Sequence, residues 1–162
     1  MKKMFKLLSC SLLVISVASG CNTKTSEEGL FQYKNAYVGD NSAVINIVKH
    51  SMQSERFKGL ELKTKEMPYG IILNYDGSES ESESESEKND KRTVIYNATY
   101  LFALIQNAEW ITFNFNNQEY KITKDALIEW YGEDFSTLQT EEELKTLIQK
   151  RWDDEYKVNQ LF

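Results

Sequence analysis

The side chains in this sequence that could do chemistry are mainly carboxylates. Glu129, Glu133 and Asp134 cluster beside Trp130 and Tyr131, a composition that sugar-handling clefts use. Two carboxyls at the right separation could act as acid and base on a glycosidic bond, which would make the protein a hydrolase of cell-wall polymer. Solvated charge at a helix end explains the same residues more simply. Nucleophilic catalysis has less to work with, because it needs a nucleophile with a base beside it. The chain has one histidine, His50, and two cysteines, Cys10 and Cys21, both near the N-terminus. It has no Gly-x-Ser-x-Gly elbow, no phosphate-binding glycine loop and no His-Glu-x-x-His pair. His50 has no second His or free Cys to share a metal, so it reads as a solvent-facing side chain rather than a ligand. With no catalytic signature, metal set or cofactor motif, the sequence reads as a non-enzyme.

A second candidate is Gly39-Asp40-Asn41-Ser42. A glycine before a capped helix leaves amide donors that could hold an anion. The same residues are a dense N-cap signal, and capping alone accounts for them. The candidate binding residues are therefore Gly39, Asp40, Asn41 and Ser42, together with Trp130 and Tyr131.

The elements that must position these residues follow from periodicity. The centre is the stretch Thr93 to Phe115. Leu101, Phe102, Leu104, Ile105 and Ala108 are apolar nearly all the way round, so a helix over 97–108, capped by Asn97, is expected to be buried. The period then changes to two: Ile111, Phe113 and Phe115 alternate with Trp110, Thr112 and Asn114. A two-residue turn at Asn116-Asn117 sets Phe113 against Tyr120, Ile111 against Ile122 and Thr112 against Lys121. An earlier hairpin, turning at Lys65 to Pro68, sets Leu62 against Ile71 and Leu60 against Leu73. Helices are expected at 42–53, at 124–131 between Thr123 and Gly132, and after the capping box Thr140 to Glu143. Leu144, Leu147, Ile148, Trp152 and Tyr156 form the apolar stripe of the last one. The expected fold is α+β, an antiparallel sheet of about four strands in two hairpins with helices packed on one face. Residues 77–92, built around Ser-Glu repeated five times, have nothing apolar to bury and are expected to be a disordered acidic loop. The Ser-Glu run 78–87 lacks the glycine and varied ligands of a shaped calcium loop.

The first twenty residues are a separate matter. Lys2, Lys3 and Lys6 precede the apolar run Leu7 to Val17, and Ala18-Ser19-Gly20 lead directly into Cys21. This reads as a secretory signal over 1–20. It resembles the lipobox of bacterial lipoproteins, with Ala18 where that pattern prefers leucine. The resemblance implies that Cys21 is lipidated, bearing acyl chains of the palmitate type, and that it becomes the new N-terminus. Two or more chains suffice for stable anchoring where one is marginal. Residues 21–30 would then be a polar tether and 31–162 a single extracytoplasmic domain on the outer face of the cell membrane. Removing three lysines from the 19 basic residues leaves 16 against 25 acidic ones, a net charge of −9. The full chain carries −6. Either value speaks against nucleic acid as a partner.

Several separated segments occur in a familiar order. Tyr33-Lys34-Asn35, Tyr37-Val38-Gly39-Asp40-Asn41-Ser42, Tyr69-Gly70-Ile71 and Asn97-Ala98 through Leu101 to Asn107 resemble the extracytoplasmic domain of unknown function 4825 over roughly residues 31–148. Its members are small Gram-positive lipoproteins, and the domain also occurs attached to membrane metallopeptidase-type sensors. The resemblance implies an exported binding, sensory or interaction module, whose partners would be the membrane through the lipid anchor and a membrane or cell-wall protein. It supplies no ligand and no catalytic residues.

The lipobox reading makes a direct prediction. Cys21→Ala should move the protein from the membrane to the soluble fraction on detergent-free washing; retention in the membrane would refute the anchor.

Overall fold

The computed structural model describes residues 29–77, 82–116, 118–152 and 155–162. The expected signal segment, Cys21, the tether as far as Glu28, residues 78–81 and Asn117 lie outside them. In chain order the elements are a 3-10 turn Gly29–Tyr33, α1 (Asn41–Lys49), a 3-10 turn Ser54–Arg56, β1 (Phe57–Lys63), β2 (Gly70–Tyr75) and α2 (Glu83–Leu104). Then come β3 (Trp110–Phe115), β4 (Gln118–Thr123), α3 (Lys124–Tyr131), a 3-10 turn Phe135–Thr137, α4 (Glu141–Trp152) and α5 (Glu155–Gln160).

Both hairpins form in the expected register. Leu60 pairs with Leu73 and Leu62 with Ile71; Phe113 pairs with Tyr120, Ile111 with Ile122 and Thr112 with Lys121. The strand order is β1-β2-β3-β4, so the hairpins join along β2 and β3. That pairing is parallel, with Gly70 opposite Trp110 and Tyr75 opposite Phe115. The sheet is therefore mixed, which corrects the expectation of a purely antiparallel one. The cause is α2. A parallel neighbour requires a long crossover, usually a helix. The 22 residues of α2 span about 33 Å, more than enough to carry the chain back to the end of the sheet where β2 began.

Helix α2 also corrects the reading of the acidic repeat. Residues 83–92, expected to be disordered, form its first turns. Ser82 caps the helix, its hydroxyl accepting from the Glu85 amide at 3.4 Å. Glu83 and Glu85 sit at the positive end of the dipole, and Glu87 pairs with Lys91 one turn on at 2.8 Å. Helix growth is cooperative once a nucleus exists, and the buried stretch from Thr93 to Leu104 supplies that nucleus.

Asn97 is consequently not a cap but an interior residue of α2, wholly buried. Its Oδ1 accepts from the Met52 amide at 2.9 Å. Its Nδ2 donates to the Met52 carbonyl at 2.9 Å and to the Tyr75 hydroxyl at 3.0 Å. The helix ends at Leu104, so Ile105 and Ala108 are buried beyond it rather than within it.

The core joins Ile71, Leu73, Tyr75, Ile111, Phe113, Phe115, Tyr120 and Ile122 of the sheet to Val44, Ile47 and Val48 of α1 and to Leu101, Phe102 and Leu104 of α2. Leu127 and Tyr131 of α3 and Leu144, Leu147 and Ile148 of α4 complete it. Helix α1 stops at Lys49, shorter than expected. The capping box forms as read: Glu143 accepts from the Thr140 amide at 3.1 Å, and the Thr140 hydroxyl accepts from the Glu143 amide at 3.2 Å. Thr123 caps α3, and Gly132 ends it at φ 73°. Tyr156, expected on an apolar stripe, is 74 % exposed in α5, because the chain leaves α4 before reaching it.

Two substitutions test this core by urea denaturation. Leu104→Ala should cost about 2–5 kcal/mol, a large share of the roughly 5–15 kcal/mol that holds a domain together. Asn97→Ala should cost about 1–3 kcal/mol for each group of Met52 left unpartnered. A midpoint unchanged in either variant would contradict the placement of α2.

Candidate functional site

An open groove of about 670 Å³ lies at the end of the sheet where β2 and β3 begin. Its rim is the β1–β2 turn, Thr64 to Pro68, and its walls include Leu62 of β1, Trp110 of β3 and Lys121 of β4. The parallel register builds the floor. Gly70 lies opposite Trp110, and the indole fills the space where a side chain would project, since a Cβ at Gly70 would lie 2.1 Å from the ring. Trp110 is fixed from two sides: its Nε1 donates to the Pro68 carbonyl at 2.9 Å, and the Lys121 ammonium stands 4.8 Å from the ring centroid. The turn is held by the Glu109 amide donating to the Tyr69 carbonyl at 2.9 Å. At its tip, Met67 is 74 % exposed.

The lining carries Lys63, Lys65 and Lys121 against one carboxylate, Glu66. Lys63 also pairs with Glu61 at 2.6 Å. The groove therefore offers a fixed aromatic face, an exposed thioether and a surplus of cations.

The residues singled out from sequence are occupied elsewhere. The Asp40 carboxylate accepts from the Ala43 amide at 3.0 Å, and the Asp40 carbonyl accepts from Val44 at 3.1 Å. Gly39, Asp40, Asn41 and Ser42 are exposed, and they cap α1 with a negative group already in place. Tyr131 is buried, its hydroxyl 2.9 Å from that of Thr99. Trp130 is half-buried, donating to the Lys157 carbonyl at 2.8 Å, with the Arg151 guanidinium 5.9 Å from its ring. Asp134 accepts from the Ser136 hydroxyl and amide, which together hold its carboxyl below the usual range despite partial burial. Glu129 and Glu133 are exposed. His50 is exposed on the end of α1, its Nδ1 2.8 Å from the Asn46 carbonyl. Sequence reasoning passed over the groove. The signal was Gly70 inside a strand, which marks a close approach, but its partner Trp110 depends on a parallel pairing.

Two charged groups tie the N-terminal segment down. Lys34 donates to the carbonyls of Ala103, Ser136 and Leu138 at 3.2, 2.7 and 2.9 Å. Burial and the nearby Lys124 lower its pKa, opposed by Asp134. Glu141, at the start of α4, accepts from the Leu30 amide at 2.9 Å, from Lys145 at 2.9 Å and from the Tyr100 hydroxyl at 3.5 Å. Partial burial pushes the Glu141 carboxyl up, but those donors outweigh it and hold it below the ordinary range. Beside it is a smaller cavity, about 280 Å³, bounded by Tyr33, His50 and Tyr96. Among the described residues, no group of three or more His, Cys, Asp or Glu side chains could hold a metal, and no helix is long and apolar enough to cross a membrane.

With the fold in hand, comparison with known families is decisive on one point. The model of the family described as Domain of unknown function (DUF4825) matches residues 30–125. The chain belongs to that family. No curated protein and no solved structure matches it. The DUF4825 match takes in α1, the whole sheet, α2 and every residue of the groove, and stops at the start of α3. It is shorter at its C-terminal end than the resemblance over 31–148 implies.

The Glu141 contact predicts a pH dependence. A carboxyl whose folded pKa lies below its unfolded value of 4.5 adds stability that is present above that value and is lost as pH falls through the folded pKa. Glu141→Gln should thus be less stable than wild type at neutral pH, and the gap in urea midpoint should shrink below about pH 4.5. A gap independent of pH would mean that the carboxylate charge plays no part.

Proposed function

We propose that this member of the DUF4825 family is a lipoprotein held on the outer face of the cell membrane through Cys21, working as a binding or sensory module rather than an enzyme. Its contact surface is the groove around Trp110. The observation that carries the reading is the construction of that groove: an aromatic ring held by Pro68 and Lys121, in a lining that also includes an exposed Met67. Rigid aromatics with apolar neighbours and a charged rim are what contact surfaces concentrate. The signal-like first twenty residues and Cys21 support the location. The carboxylates that could have served a hydrolase do not line the groove, and Asp134 is tied to Ser136.

The test compares accessibility on and off the cell. In Met67→Cys, a membrane-impermeant maleimide should label the thiol several-fold more slowly on intact cells than on the purified protein. A second variant, Tyr156→Cys, should label equally in both, because Tyr156 is equally exposed but lies in α5, outside the lining. Equal labelling of Met67→Cys in both settings would mean that nothing covers the groove, and the reading would fall.

A further inference from the structure

We propose that the partner of the Trp110 groove is the anionic lipid surface to which the protein is itself anchored, so that the β1–β2 turn seats the domain on the headgroups in one orientation. This inference rests on the module reading above and names its partner.

Reach comes first. If Cys21 is the lipidated N-terminus, seven residues, 22–28, lie between it and Gly29, where the described chain begins, eight Cα-to-Cα steps in all. Fully extended they reach about 28 Å, less than the roughly 35 Å width of a domain this size. A body on so short a lead stays within about 28 Å of the headgroups, so that one of its faces can rest on them.

Charge selects the face. Without residues 1–20 the chain carries −9, so anionic headgroups repel most of the body. The groove is an exception. Its lining has Lys63, Lys65 and Lys121 against Glu66, and after the Glu61–Lys63 pair it remains net positive. Lysines within a Debye length of an anionic surface are drawn to it, and the attraction is screened by salt.

Apolar chemistry separates a bilayer from other anions. Met67 is exposed on the turn and lines the groove together with Lys65 and Trp110. A thioether and an indole with lysines around them match the interfacial zone of a bilayer, where tryptophan is enriched and lysine stems can lie along apolar surface. A second copy offering its Ser-Glu run would satisfy the lysines. It has no apolar residue for Met67 and Trp110.

The experiment uses the mature lipidated protein carrying Met67→Cys labelled with an environment-sensitive fluorophore. It is reconstituted in vesicles of phosphatidylglycerol with phosphatidylethanolamine, and separately in phosphatidylcholine vesicles. Flotation and emission are read on the same samples. The expected result is flotation in both, with a blue shift at position 67 only in the anionic vesicles, abolished in about 1 M salt, where the screening length falls to about 3 Å. The triple variant Lys63→Gln, Lys65→Gln, Lys121→Gln should reduce the shifted fraction roughly tenfold. Because Lys121 also touches Trp110, Lys65→Glu alone is the second variant, and it should weaken the shift in the same direction. Flotation without a shift overturns membrane seating and leaves the anchor standing. Failure to float overturns both. A shift that grows with protein concentration in the absence of vesicles gives the groove to a second copy and also overturns the proposal.

Discussion

The amide of Asn97 holds the position on which the sheet and the surrounding helices depend. It sits inside α2 with no exposure to water and closes a ring of bonds with both backbone groups of Met52 and the hydroxyl of Tyr75. A buried amide without partners would cost several kcal/mol. The helix therefore has one rotation and one depth at which Asn97 is satisfied. That setting turns Leu101, Phe102 and Leu104 inward, and it fastens the segment after α1 to the helix. Burial pushes the Tyr75 hydroxyl to ionise well above its ordinary range, although Asn97 and Arg56 work against that, so Tyr75 stays neutral and serves as part of the core.

A second tie lies toward the start of α2. Arg56 and Asp90 pair at 3.0 Å with side chains 13 % and 6 % exposed. Arg56 also donates from Nε to the Asp76 carbonyl at 2.7 Å and lies over the Phe115 ring at 5.4 Å. A buried pair of this kind is weak support for stability in itself, because desolvation consumes most of the attraction. Its use here is positional. It pins the helix against the strand end it has just left, while Asn97 pins it further along. Held at both points, α2 delivers the chain to Trp110 in line with Gly70, and the groove is a consequence of that delivery.

The family segments have a common physical role. Lys34 gathers three carbonyls from the end of α2 and from the 3-10 turn after α3. Asn107 accepts from the Val38 amide at 2.8 Å, and the Gln106 amide donates to the Ala36 carbonyl at 2.9 Å. Asp40 caps α1, Gly70 admits Trp110, and Asn97 locks α2. These residues satisfy backbone groups that would otherwise be stranded around one helix. Several polar residues of these segments thus act as fasteners within the fold.

Local chemistry was legible without a structure. The register of each hairpin followed from period-two alternation and a short turn, since a slip of one residue would turn every apolar side chain outward. The caps at Asp40, Thr123 and Thr140 and the stop at Gly132 followed because each bond joins residues within four positions. Three features were decided only by the folded chain. The parallel pairing of β2 with β3 depends on a crossover, and nothing in either hairpin records the other's direction. The Ser-Glu repeat is helical from Glu83 because a buried helix beyond it carries the cost of nucleation, a cooperative effect that composition does not reveal. The Trp110 groove needs both of these, since Gly70 and Trp110 are forty residues apart and meet only when α2 has returned the chain to the end of the sheet where β2 began.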